Sequence, residues 1–164
     1  MEQSIGRVGH TLIQKLIYLL QEGMGVRLGY RFKMYMHGPY SADLWGDLTQ
    51  LRDYRALNID ADPSGYGYRI TTGPVLGNVV ANQEQRLASV RPTIERLLDV
   101  LGGAPVRRLE ILATAHFASA SLKRLGKAAD ARAVAKAVCA LKPHLAEQEV
   151  VDGYHDLASA GLAP

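Results

Sequence analysis

The sequence has few of the residues that announce chemistry. Cys139 is the one cysteine, so an internal disulfide is excluded. Its place in an Ala/Val-rich helical pattern predicts a buried structural thiol rather than a reactive one. No apolar run is long enough to cross a bilayer, and the opening MEQSIGRVGH carries no apolar signal core. No membrane association is expected, and the cytoplasm is the expected compartment. The five histidines, His10, His37, His116, His144 and His155, are scattered. With no H-x-x-x-H pair and no cysteine partner among them, no metal site is expected. Gly23-Met24-Gly25 and Gly65-Tyr66-Gly67 lack the strand and helix context of a phosphate or dinucleotide loop, so no cofactor is expected either. His37 beside Gly38-Pro39 could act as an acid or base, yet no nucleophile or carboxylate in the sequence goes with it. The expectation is a protein that is not an enzyme.

Excess charge is small as well. The net charge is +3, with eight Lys/Arg against seven Asp/Glu up to Gly73 and eleven against nine beyond it. Neither half is a basic arm, so nucleic-acid binding is permitted but not argued for by charge alone.

What is present is organised around Tyr30 to Leu51. Tyr30, Phe32, Met34 and Met36 alternate with Arg31, Lys33 and Tyr35, the period of a strand with one face buried. Gly38-Pro39 breaks that strand, because proline fixes φ and lacks an N–H. Ser41 suits the N-cap of a following helix, with Leu44, Trp45, Leu48 and Leu51 along its core face. Before this stretch, Thr11 and Gln14 have capping-box spacing for a helix from about Leu12 to Glu22. Gln14, Lys15 and Tyr18 form a polar stripe on it. After it, Leu57, Ile59 and Ala61, a turn at Asp62-Pro63-Ser64-Gly65, then Tyr66, Tyr68 and Ile70 spell a β-hairpin.

From Gly77 onward the pattern is helical. Val80, Leu87, Ile94 and Leu101 recur every seven residues with Val90 and Leu97 between them, a seam interrupted by Pro92 where a kink or a split is expected. That seam leaves a homodimer open. Further helices are expected from Pro105, from about Asp130 to Leu141 and from about Ala146 to Ala160. The fold class that results is α+β, mostly helical. Residues 1–73 form a winged-helix-like module (helix, strand, helix, β-hairpin), and residues 74–164 form a helical bundle packed on it as one compact unit.

The run Ile13-Gln14-Lys15-Leu16-Ile17-Tyr18, followed by a strand ending in Gly38-Pro39-Tyr40-Ser41, resembles the YwgA-like bacterial and archaeal proteins. More distantly it resembles the SocA-like antitoxin domain called Panacea. Both pair an L-Q-K-L-x-Y helix with a strand and a G-P corner. The resemblance covers the first seventy residues best, and Leu109 to Ala113 with Lys142-Pro143 look like the C-terminal part of the YwgA-like proteins. It implies a winged-helix-like fold without enzymatic activity and, for Panacea relatives, neutralisation of a toxin partner.

Two surfaces compete for a role. The helix before the hairpin carries Asp43, Asp47 and Asp53 against Arg52 and Arg55, and acidic groups repel phosphate. Arg31 and Lys33 on the strand with Arg69 on the hairpin, interleaved with Tyr35 and Tyr66 or Tyr68, could hold nucleic acid or an acidic protein partner. The stripe Gln14, Lys15 and Tyr18 either docks a partner or hydrogen-bonds the Gly38-Pro39 corner. The second reading is preferred because buried amides and hydroxyls need partners. The candidate partner-binding set is therefore Gln14, Lys15, Tyr18, Arg31, Lys33, Tyr35, Tyr40 and Arg69, on a structural motif of Gly38, Pro39, Ser41 and Trp45. The expected function is a regulatory or antitoxin-like binding module with a protein partner, the alternative a winged-helix DNA-binding regulator.

Overall fold

The computed structural model describes residues 8–162. Helix α1 (His10–Tyr18) follows Gly9 directly, with no side chain capping its first turn. The capping box expected at Thr11 and Gln14 does not form. Gln14 is fully buried and its amide is turned instead to the backbone of Ser41. A wide π turn, Leu19–Gly23, ends the helix, and there the Gln21 side chain both donates to the carbonyl and accepts from the N–H of Tyr30.

The expected single strand from Tyr30 to Met36 is a hairpin instead. Strand β1 (Lys33–Tyr35) turns at Met36 and His37 and returns as β2 (Gly38–Tyr40), with Met34 opposite Pro39. Gly38 makes the return possible: its φ of +91° lies in the left-handed region that glycine adopts without strain. Pro39 is tolerated because β2 has one neighbour only, so a missing N–H can face outward. The alternation holds for the rest, with Tyr30, Phe32 and Met34 half-buried and Arg31, Lys33 and Tyr35 exposed. Met36, expected on the buried face, sits at the turn and is 79% exposed.

Helix α2 (Ala42–Asp53) starts as its sequence predicts, the Ser41 hydroxyl accepting from the Leu44 N–H at 3.3 Å. Leu44 and Leu48 are buried. The second hairpin, β3 (Leu57–Ala61) with β4 (Tyr68–Thr72), is in the register Ile59 opposite Ile70. Together Leu44, Leu48 and Ile70 make a small core against Ile13, Ile17 and Phe32.

The C-terminal half is all helix: α3 (Leu76–Asn82), α4 (Glu84–Leu101), α5 (Val106–Arg124), α6 (Ala131–Leu141) and α7 (Glu147–Ser159). The architecture is thus α+β and mostly helical, with two small antiparallel hairpins among the described residues. Asp130 caps α6 through its carboxylate. The seam behaves differently from expectation: the break falls at Gln83, between α3 and α4, and Pro92 is carried inside α4 at an exposed position. Only Leu97 and Leu101 of the seam are buried. The main core joins the two halves, setting Leu12, Tyr18, Leu19 and Leu20 of the first helix against Leu109, Leu112, Val134, Val138, Val150 and Leu157. Helix α1 is therefore shared by both cores. Cys139 is half-buried, its Sγ 3.4 Å from the Leu145 carbonyl, and burial pushes the thiol pKa up.

Candidate functional site

The polar stripe of α1 is the foundation of the β1–β2 hairpin. Gln14 Nε2 donates to the Ser41 carbonyl and Gln14 Oε1 accepts from the Ser41 N–H, both at 2.9 Å. Lys15 Nζ donates to the Pro39 carbonyl at 2.7 Å. Tyr18 points into the main core, where its hydroxyl lies 2.8 Å from His116 Nδ1. All three side chains are inside the fold, with Lys15 only 2% exposed. They hydrogen-bond within the chain, as the preferred reading of the stripe had it for the corner, and they offer no outer surface. As members of the candidate partner-binding set, Gln14, Lys15 and Tyr18 are corrected by their burial; Gln14 and Lys15 fit the preferred reading, hydrogen bonds to the corner, while Tyr18 bonds His116 instead.

A second support comes from the C-terminal half. Lys142 Nζ donates to the Met36 carbonyl and lies 3.0 Å from Glu110 Oε1, while Glu110 Oε2 is 3.6 Å from His37 Nδ1. The sequence names no carboxylate for His37; the fold supplies one from α5. Lys15 and Lys142 thus face a single carboxylate. Burial holds Lys15 down at about 8, with Glu110 pulling it up and Lys142 pushing it further down.

On the outer face the hairpin presents Lys33, Tyr35 and Tyr40, which the register Lys33 opposite Tyr40 and Tyr35 opposite Gly38 puts on one side. From there a chain of rings crosses the N-terminal half. Tyr35 lies 5.3 Å from Tyr40, Tyr40 5.5 Å from His10, His10 4.3 Å from Trp45, and Trp45 5.2 Å from Tyr68, centroid to centroid. These are the distances of favourable tilted and edge-to-face packing. Tyr35, 63% exposed, and Tyr68 stand out at the two ends, and the middle three rings are half-buried. Exposed Met36 adjoins Tyr35 at the hairpin turn. Between α1 and the hairpin lies a cavity of about 530 Å³ whose lining includes His10, Lys15, Tyr35, His37 and Tyr40. Burial, with the nearby Lys15 charge, lowers the His10 pKa, and His10 Nε2 is buried with no hydrogen-bond partner.

The proposed basic surface does not assemble as one cationic patch. Arg31 lies 3.6 Å from Asp43. Arg69 is half-buried in β4, opposite Asp60, with Nε buried and unpartnered. Arg31 and Lys33 are both exposed, and Lys33 is the one that shares the tyrosines' side of the hairpin without an acid in contact among the described residues. Trp45, expected as a core residue of α2, is half-buried and belongs to the ring array. Tyr68, anticipated beside Tyr35 as an alternative to Tyr66, is a member of the array, whereas His10 at its centre and Met36 as an exposed side chain were not anticipated. Among the described residues no group of His, Cys, Asp and Glu is arranged to hold a metal ion, and no helix is long and apolar enough to cross a membrane.

No protein-family model matches this chain, and no curated protein matches it.

Proposed function

We propose that this protein is a non-enzymatic binding module, antitoxin-like or regulatory in its role, which takes a protein partner on the aromatic face of its N-terminal half. The observation that carries this reading is the array Tyr35, Tyr40, His10, Trp45 and Tyr68, with Met36 exposed beside it. Tyrosine, tryptophan and methionine are the side chains enriched where proteins dock, and rings bring large contact area at little cost in rotamer entropy. The array sits on a rigid base, because Gln14, Lys15 and Lys142 fix the hairpin beneath it. DNA is the poorer fit. The exposed face of α2 carries Asp43, Asp47 and Asp53, and two of the three candidate cations stand against acids.

The test compares the wild-type chain with a Tyr35→Ser/Tyr68→Ser variant as bait in lysate, with and without nuclease treatment, after a melting curve has established that both are folded. A stoichiometric protein captured by the wild type and retained at least tenfold less by the variant is the expected result, since truncating an interface ring costs about 1–2 kcal/mol or more. Recovery of DNA that moderate salt releases, with no ring-dependent protein, would overturn the proposal.

A further inference from the structure

The second hairpin has one closed edge and one open edge. Along β4 the chain just before α1 lies against the outer side, with the Ile70 N–H donating to the Val8 carbonyl at 2.8 Å and Gly9 bridging Arg69. An N–H that points away from the neighbouring strand marks Ile70 and Ile59 as a non-hydrogen-bonded pair of the antiparallel ladder. The ends of the hairpin have the same phase: the Gly73 N–H donates to the Ala56 carbonyl at 2.8 Å and the Asp62 N–H to the Gly67 carbonyl at 3.0 Å. Asn58 and Asp60 therefore turn their backbone groups to β4, and Leu57, Ile59 and Ala61 turn theirs outward. Among the described residues no hydrogen bond reaches those outward groups and no further strand pairs with β3.

Edge strands are usually blunted by proline, lysine, a bulge or a covering element. Strand β3 reads Leu-Asn-Ile-Asp-Ala, with neither proline nor lysine, in unbroken register with β4. Leu57 and Ile59 are only half-buried beside Leu44, Leu48 and Ile70, which leaves the small core incompletely covered at β3.

We infer that β3 is the contact through which two copies of this chain pair, antiparallel about a two-fold axis at Ile59. In that register Ile59 faces Ile59 of the second copy, and Leu57 faces Ala61 of the second copy on both sides of the axis. Every outward N–H then meets an outward carbonyl, because the outward positions are spaced symmetrically about Ile59. The two hairpins become one four-stranded sheet, and the opposed Ile59 side chains extend the two small cores toward each other. Charge agrees with this register. Asp60 has Arg69 opposite it on β4 and neutral Asn58 opposite it on the second copy, so no like charges meet. A slip of two residues in either direction leaves an outward position without a strand partner, and in one direction sets Asp60 against Asp60. A foreign strand would satisfy the same backbone groups; the match of Ile59 to itself and of Asp60 to Asn58 is what a second copy adds. The pairing does not depend on the aromatic face as a docking site.

Strands of five residues make a contact smaller than the roughly 1,600 Å² of a standard interface, so the pairing depends on concentration. The experiment measures the mass of the full chain by sedimentation equilibrium from about 5 μM to about 1 mM, the range in which a small contact is populated. Wild type is compared with Ala61→Pro, Asn58→Lys and Asn58→Asp, each shown by its melting curve to be folded. Ala61→Pro spares the hairpin itself, since the N–H it deletes faces outward and Asp60 before it is already extended. The expected result is a monomer–dimer equilibrium that Ala61→Pro weakens at least about tenfold, since each copy loses a donor to the other. Asn58→Lys, which sets an ammonium opposite Asp60 on both sides of the axis, should tighten it about threefold or more, and Asn58→Asp should weaken it as much. Amide exchange followed by NMR should show Leu57, Ile59 and Ala61 slowing as concentration rises, while Asn58 and Asp60 stay slow throughout. If Ala61→Pro does not fold, the opposite signs of the two Asn58 variants and the exchange pattern decide. A chain that stays monomeric up to about 1 mM, or a dimer indifferent to Ala61→Pro and to the charge placed at Asn58, would overturn the pairing. Protection of the outward β3 amides only in complex with a different protein would also overturn it and give the edge to a foreign strand.

Discussion

Lys15 Nζ reaches across 24 residues to the Pro39 carbonyl at 2.7 Å, tying a cation of the first helix to the returning strand of the first hairpin. The bond explains why a lysine can be interior here: its stem packs beneath Gly38, with Cε 3.3 Å from where a Cβ would stand, and its head finds an acceptor in the Pro39 carbonyl. The arrangement still costs stability, because burial disfavours the charged form.

That cost gives a pH dependence with a definite sign. The folded-state pKa of Lys15 is about 8, below the ordinary lysine value of 10.5. Below pH 8 both folded and unfolded chains hold the proton and the penalty is fully present. Between about 8 and 10.5 the unfolded chain holds more proton than the folded one, so stability rises with pH by at most about 1.4 kcal/mol per unit. Urea denaturation from pH 7.5 to 9.5 should show the rise, and Lys15→Met should flatten it. A wild-type profile that is flat or falling there would mean that the ammonium is stabilised in place.

Gln14 answers for two backbone groups at once. Its amide satisfies the N–H and the carbonyl of Ser41, a residue that is itself fully buried and caps α2. Gln14→Leu leaves both groups unpaired away from water, which costs about 1–3 kcal/mol for each. We expect a loss of about 3 kcal/mol by chemical denaturation. Gln14→Glu should recover only part of it, since a carboxylate accepts from the N–H but cannot donate to the carbonyl.

Gly38 is constrained twice. Its φ of +91° disfavours any side chain, and a Cβ would come within 2.7 Å of Thr114 Oγ1 on α5. Left-handed backbone costs about 1–2 kcal/mol for an L-residue, and forcing atoms into a packed site adds about 1–3 kcal/mol. Gly38→Ala should therefore destabilise the protein by about 2–5 kcal/mol. Adding Thr114→Ala, which removes the obstructing hydroxyl, should return the packing part and leave the backbone part. An Ala variant as stable as wild type would mean that the hairpin turn relaxes freely.

Much of the architecture was legible because it rests on local rules. The Ser41 cap, the alternation into β1, the Asp62 turn and the helices ending at Leu141 and Ser159 follow from side-chain chemistry within a few residues. What stayed hidden depends on long-range partners. Nothing local says that Met36-His37 rather than Gly38-Pro39 makes the turn, since that is settled by Lys142, 106 residues away, holding the Met36 carbonyl. The stripe Gln14, Lys15 and Tyr18 was visible as a set, and the bonds of Gln14 and Lys15 to the corner were anticipated, whereas that of Tyr18 to His116 was not. Its complete burial follows only once α5 is packed across it. The ring array was half legible: Tyr35, Tyr40 and Trp45 stood in one stretch, but His10 and Tyr68 join them through the pairing of chain segments far apart in sequence. The bridge between Gly9 and Arg69 is what brings them to the same face.

The second buried pair, Tyr18 with His116, governs the acid side. Burial pushes the Tyr18 hydroxyl pKa well up and holds His116 down at about 4, so both are neutral at pH 7. The hydroxyl and Nδ1 share one hydrogen bond whose donor depends on the imidazole tautomer, while Nε2 is buried without a hydrogen-bond partner. Protonating the ring would turn Nδ1 into a donor facing a hydroxyl and add a charge to the core. Between about pH 6.5 and 4 the unfolded chain takes up this proton and the folded one does not. Stability should therefore fall with decreasing pH by up to about 1.4 kcal/mol per unit from this group. The ring resonances of His116 should titrate with a midpoint near 4 in the folded state, and Tyr18→Phe, which strands Nδ1, should cost about 1–3 kcal/mol at pH 7. A midpoint at the ordinary histidine value of about 6.5 would show water reaching the pair, and His116 would then be no part of the dry core that joins the two halves.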